Sequence, residues 1–172
     1  MSLTVGSLDI GNGANGDVDS TAVGRDALDA NVLATTALYN TAIGSLALSA
    51  LNNNTADDNT AVGYACGDGI LSGSDNTAIG SAALSAAATN DNTAVGRQAL
   101  KVFTGSNATA VGSGAADAAT SATQLTAVGK DALGACTDGL ENTAVGYNAG
   151  LAITTGDYNT ALGSLAMAVS NV

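Results

Sequence analysis

A chain of 172 residues is long enough for one domain with its own core, yet 46% of it is apolar with Ala the commonest residue, and aromatics supply only 3%, so any core must be thin. Fifteen acids against four bases give a net charge of −11, the wrong sign for neutralising phosphates, which excludes nucleic acid as an expected partner. With no His, no apolar run of about 18 residues, and Cys66 and Cys136 far apart without a CxxC, there is no start for a zinc site, for Ser-His or Cys-His catalysis, or for membrane insertion.

Taken in chain order, the sequence is one repeat told many times. The opening Met1-Ser2-Leu3-Thr4-Val5-Gly6 lacks the basic and apolar blocks of a secretion signal, and Leu3–Gly6 reads as a degraded first copy of the repeat. Gly11-Asn12-Gly13-Ala14-Asn15-Gly16 fits GxGxxG, but it runs into the next strand rather than a helix, so a wide turn is expected there instead of a dinucleotide site. From Ser20 onward the unit Asn/Ser-Thr-Ala-Val/Ile/Leu-Gly recurs, beginning at Ser20, Asn40, Asn59, Asn76, Asn92, Asn142 and Asn159. Two more copies, around Thr109 and Thr126, carry Ala108 and Leu125 in the first place. The unit's glycines lie 16 to 20 residues apart, and an Ala-Leu pair comes after several of them, as at Ala27-Leu28, Ala47-Leu48, Ala83-Leu84, Ala99-Leu100 and Ala132-Leu133. That period is too short for a two-helix repeat or a propeller blade and suits one coil of a β-solenoid. The expectation is a single all-β domain over 1–172, a parallel β-solenoid of about ten coils; ten rungs make a rod roughly 50 Å long. The Ala-rich stretch Ser81–Ala88 is the one segment that also reads as a helix, but the other repeats do not sustain it.

Within each unit the β-branched residues lie two apart and so share one face. They are expected to fill the coil and its corner glycine to turn it: Thr21, Val23 and Gly24; Thr41, Ile43 and Gly44; Thr60, Val62 and Gly63; Thr77, Ile79 and Gly80; Thr93, Val95 and Gly96; Thr143, Val145 and Gly146. The opposite face then holds Ala22, Ala42, Ala61, Ala78, Ala94, Ala110, Ala127, Ala144 and Ala161. Uniform Ala on a strand suggests close approach of another surface, so this face is expected to pack against further copies of the chain. Arg25, Arg97 and Lys130 come directly after the repeat glycine and should mark an exposed edge, while acids such as Asp57, Asp58, Asp75, Asp91, Asp138 and Asp157 gather in the loops before the strands. Those charges read as solvated stripes; a calcium-binding ridge is the sharper alternative, without any EF-hand or glycine-aspartate repeat behind it.

The repeated Asn-Thr-Ala-Val-Gly with its trailing Ala-Leu resembles the repeats of phage and prophage tail-fibre proteins, and more distantly the Asn-Ser-Val-Ala-Ile-Gly repeats of YadA-like heads in trimeric autotransporter adhesins. The likeness spans essentially the whole chain. It implies a left-handed β-roll, a homotrimer, and residues matching Thr and Val that fill each chain's roll. These coils are longer than the autotransporter type, and no heptad stalk, membrane anchor or chaperone domain is expected after them.

The functional expectation is therefore a structural and adhesive fibre segment at a virion or cell surface, without enzyme activity, cofactor or metal, and with a cell-surface glycan as a candidate ligand. A self-polymerising extracellular filament is the alternative, because an uncapped solenoid adds end to end. An ice-binding solenoid is the lesser one: it needs the ladder from Thr21 to Thr160 to face water, whereas the pairing of Thr with Val turns those threonines inward.

Overall fold

The computed structural model describes residues 3–5, 8–11, 19–29, 37–53 and 56–169. Eleven short strands form one sheet in chain order. They are β1 (Leu3–Val5), β2 (Leu8–Gly11), β3 (Thr21–Val23), β4 (Thr41–Ile43), β5 (Thr60–Val62), β6 (Thr77–Ile79), β7 (Thr93–Val95), β8 (Thr109–Val111), β9 (Thr126–Val128), β10 (Thr143–Val145) and β11 (Thr160–Leu162). From β3 to β11 every neighbouring pair is parallel and stacks Thr on Thr, Ala on Ala and Val on its aliphatic equivalent. These nine parallel strands wind a β-solenoid of about 8 turns, with no helix among the described residues. The stretch Ser81–Ala88 is turn and irregular chain within one coil. Nine rungs at the spacing of paired strands span roughly 38 Å.

The first copy departs from expectation. Leu3–Val5 pairs antiparallel with β2, and β2 pairs antiparallel with β3, so the chain's start is a hairpin laid on the first parallel rung rather than a tenth coil. Most of the GxGxxG-like stretch lies outside the described residues.

The larger correction concerns which side of the strand faces in. Ala42, Ala61, Ala94, Ala110, Ala127 and Ala144 are completely buried within their own chain, and Ala22, Ala78 and Ala161 nearly so. The Thr and Val columns, expected inside the coil, face outward: none is buried, and Ile43, Ile79 and Val111 keep 37–41% of their surface. The Ala ladder is thus not a subunit-packing face. The reason is room. Each coil is two chain-widths thick, and the opposite wall already brings Leu48, Leu84, Leu100, Leu133 and Phe103 fully inside. A methyl group fits across from them, whereas a row of Val would overpack the interior.

The Ala-Leu pairs reach that interior by breaking strand alternation. Leu28, Leu48, Leu84, Leu100 and Leu133 all have φ near +50°, a left-handed turn that swings Leu inward beside its Ala neighbour. That geometry costs a residue with a Cβ about 1–2 kcal/mol. Burial of a leucine side chain contributes about 1.5–3 kcal/mol and offsets it. This wall is also bonded rung to rung, as in Leu48 N–H to Cys66 O at 3.0 Å and Leu100 N–H to Ala115 O at 3.0 Å.

Candidate interaction surface

The face that the strands turn to solvent is built from two straight columns, Thr and Val/Ile/Leu, one of each per rung from β3 to β11. No charged side chain stands on it, because every strand there is Thr-Ala-Val, Thr-Ala-Ile or Thr-Ala-Leu. Strand geometry sets the two columns roughly 7 Å apart, with a rung repeat near 4.8 Å. A continuous outward row of Val and Ile is what a monomeric surface usually avoids and an interface uses.

Beyond each column lies a rim. The residue directly after the repeat glycine is exposed or half-buried at Arg25, Tyr64, Arg97, Lys130 and Tyr147, as its polar character suggests. Lys130 pairs with the adjoining Asp131 carboxylate and lies 5.7 Å from the centre of the Tyr147 ring on the next rung, so this rim mixes cations with aromatic rings. On the other side, two residues before the Thr, stand the acids Asp19, Asp58, Asp75, Asp91 and Glu141 on five rungs and Tyr39, Asn107, Gln124 and Tyr158 on the other four, all exposed. Among the described residues no group of three His, Cys, Asp or Glu is placed to hold a metal ion, so the calcium ridge has no donor cluster behind it there.

Behind the face runs a feature that the sequence alone does not reveal. The first residue of the unit is buried at Asn40, Asn59, Asn76, Asn92 and Asn142, on the same side as Ala. Each Oδ1 accepts from the next rung. Asn59 receives the Asn76 backbone N–H at 3.1 Å and Nδ2 at 3.0 Å, and Asn76 receives the same two groups of Asn92 at 3.1 and 3.0 Å. Each Nδ2 also donates to a carbonyl across the coil, for Asn76 that of Thr89 at 2.7 Å. The ladder holds the front sheet to the return loops and is interrupted only by Ala108 and Leu125. Parity was the available signal: Asn and Ala are two apart and must face the same way.

Both cysteines are free and fully buried. The Cys66 thiol donates to Ala78 O at 2.9 Å, and burial pushes its pKa from 9.0 up to about 11, with the Asp68 charge adding to the rise. Cys136 is raised as well, again chiefly by burial. At pH 8 the native chain is expected to leave a thiol reagent unreacted for hours, while denatured chain consumes two equivalents. The linkage sign follows from the raised value. The folded state keeps its proton where the unfolded thiol ionises, so stability is intact below pH 9 and falls as pH rises from 9 to about 11. The slope is up to about 1.4 kcal/mol per pH unit for that group. Denaturant midpoints at pH 8, 9 and 10 in the wild type and Cys66→Ala measure it, and a decline of equal size in both would rule the thiol out.

Fold and surface together define a parallel β-solenoid repeat protein that presents one flat, uncharged face of Thr and aliphatic columns. Compared with known proteins, the chain matches no family model, no curated protein and no solved structure.

Proposed function

We propose that the chain is a structural segment of a fibre at a virion or cell surface, a rigid rod that associates with copies of itself through the Thr/Val face and takes no part in catalysis. The observation that carries this reading is the nine-rung outward column of Val, Ile and Leu, an apolar strip roughly 38 Å long that association would bury. The tail-fibre and adhesin resemblance supports three copies around an axis along the rod, and a glycan receptor remains part of the proposal through that resemblance alone. The interface of this reading is the Thr/Val face, since the Ala ladder is spent inside the coil.

A second reading is favoured by one specific observation. The threonines from Thr21 to Thr160 face outward at a regular repeat, which meets the condition that an ice-binding surface sets. End-to-end polymerisation, the third reading, would use the edge of β11, where Leu162 is 77% exposed.

Light scattering with negative-stain microscopy on the purified chain tests these together. A discrete particle of three chains is expected; filaments would favour polymerisation, and a monomer that holds supercooled water unfrozen around ice crystals would favour ice binding. Val95→Lys combined with Val128→Lys is expected to give a folded monomer, because both side chains point outward and their loss leaves the coil interior intact. If the double variant keeps the wild-type mass, the Thr/Val face is not the interface.

A further inference from the structure

The asparagine ladder satisfies one backbone group per rung, the N–H of the unit's first residue. Asn59, Asn76, Asn92 and Ala108 each donate this N–H to the Oδ1 of the rung before at 2.9–3.1 Å, and Asn159 does so again at 2.9 Å. Leu125 and Asn142 do not. The residues that would accept from them are Ala108 and Leu125, whose side chains hold no polar atom, so two buried N–H groups on successive rungs find no acceptor among the described residues. The same two side chains strand a pair of carbonyls. On other rungs Nδ2 reaches across the coil to the carbonyl three residues before the next unit, that of Gly73, Thr89, Gly105 or Gly156, at 2.6–3.2 Å. The matching carbonyls of Ala122 and Gly139 receive no amide, and Gly139 has only the Cys136 thiol at 3.9 Å. Buried backbone groups without partners are rare in folded chains, and here they collect on both sides of β9.

The apolar filling is thin at the same place. The coil that follows β8 turns Ala115, Ala116, Ala119 and Ala122 inward, all fully buried, where the coil before it has Leu100 and Phe103 and the coil after it has Leu133 and Cys136. Within residues 112–125, Leu125 is the one large buried side chain. The side-chain bonds that do tie this coil to the next lie outside: Thr120 and Ser121 hydroxyls donate to the exposed Asp138 carboxylate at 2.9 Å, where water competes for them. The backbone ladder runs on, with Thr109 N–H on Leu125 O at 2.8 Å and Thr126 N–H on Asn142 O at 2.9 Å, so the rungs stay paired in the native state. We propose that β9 is a built-in opening point: the rod behaves as two blocks, β3–β8 and β10–β11, which part transiently at this rung ahead of the rest of the array. Orphaned polar groups and small interior side chains coincide there, and where rungs contact only their neighbours a weak rung opens without loosening the others. Because only interior contacts enter, the opening point exists whatever covers the outer face. In the fibre proposed above, it is where the rod yields first under load.

Native-state hydrogen exchange of the full chain, resolved by residue, tests the opening point. The Leu125 and Asn142 amides lack acceptors and would exchange fast by themselves, so the deciding reporters are amides bonded across the place, those of Thr109, Ala116 and Thr126. They are expected to exchange on the order of tenfold faster than their counterparts Thr60, Leu84 and Thr77, which make the equivalent bonds in the complete part of the ladder. Ala108→Asn combined with Leu125→Asn completes the ladder with little change in filled volume, and should bring the three reporters to within about threefold of those counterparts. Asn76→Ala combined with Asn92→Leu transplants the interruption, and should create a second fast zone around β7 that Thr77 and Thr93 report. Wild-type Thr109 and Thr126 amides as slow as those of Thr60 and Thr77 would overturn the proposal, as would protection that falls smoothly from β11 inward without a step at β9. A transplanted interruption that leaves Thr77 and Thr93 unchanged would overturn it as well, and this arm decides if circular dichroism shows the completed ladder misfolded.

Discussion

Gly96→Ala is expected to destabilise the solenoid by more than about 4 kcal/mol, while the same change at Gly163 costs only about 1–3 kcal/mol. Both glycines close a Thr-Ala-aliphatic strand at positive φ, +132° and +115°, so both substitutions meet the backbone strain that a Cβ suffers there. They differ in what lies above. A Cβ on Gly96 would sit 2.4 Å from the carbonyl oxygen of Gly112 and 2.5 Å from its carbonyl carbon, whereas a Cβ on Gly163 meets nothing within 4 Å. The obstacle is backbone of the next rung, so no rotamer change relieves it, and β7 must part from β8. Because each rung contacts only its neighbours, such a break divides the array instead of loosening it uniformly. Urea unfolding followed by circular dichroism should show two transitions, or one much earlier one, for Gly96→Ala and a modest shift for Gly163→Ala. Equal losses at the two sites would mean that strain alone, and not the stacked glycine column, accounts for the requirement.

That column is also the part of the fold most legible in the sequence. A glycine every 16 to 20 residues, a β-branched strand before it and a polar return loop define a rung repeat, and parallel rungs in register result, since each unit can only pair with the equivalent unit of its neighbours. The hairpin at the start is not legible, because Leu3–Gly6 resembles the repeat closely enough to pass for a rung. A match over four residues says nothing about strand direction.

The inversion of the two strand faces has a physical reason of general use. Hydrophobicity ranks Val above Ala, so a strand of Thr-Ala-Val suggests Val inward; but in a two-walled coil the volume left by the opposite wall decides, and here Leu48, Leu84 and Leu100 occupy it. The left-handed backbone of those leucines, which sends both members of each Ala-Leu pair inward, is not written in strand periodicity. Once Ala is inside, its uniformity needs no second chain, and the outward Val and Ile become the column turned to solvent. The candidate interface is therefore recognisable as a column of identical residues from the sequence, while its assignment to one side of the sheet is not.

Asn76→Ala is expected to cost about 3–4 kcal/mol, a large loss that comes from hydrogen bonds rather than from apolar contact. Its Oδ1 accepts two bonds from Asn92, and its Nδ2 donates to Asn59 Oδ1 and Thr89 O. Truncation leaves the Asn92 backbone N–H and Nδ2 without this acceptor at a fully buried residue, and each such group costs about 1–3 kcal/mol, while the part-buried Thr89 carbonyl loses a donor nearer to water. Replacement by Leu, which occupies the same place at Leu125, refills the volume but not the bonds, so it should recover little. Asn76→Asp separates acceptor from donor: Oδ1 can still serve Asn92, but a buried carboxylate without its Nδ2 donor is penalised at pH 7 and relieved once protonated, so this variant should gain stability relative to wild type as pH falls toward about 4. The decisive comparison is the pair Asn76→Ala with Asn92→Ala. Removing both ends of one link takes away the orphaned Nδ2 along with its acceptor, so the double variant should lose clearly less than the sum of the singles, as the side-by-side Ala108 and Leu125 already allow within the native ladder. Strict additivity in chemical denaturation would show that the asparagines act one by one, each through its own loop carbonyl, and that the ladder has no cooperativity along the rod.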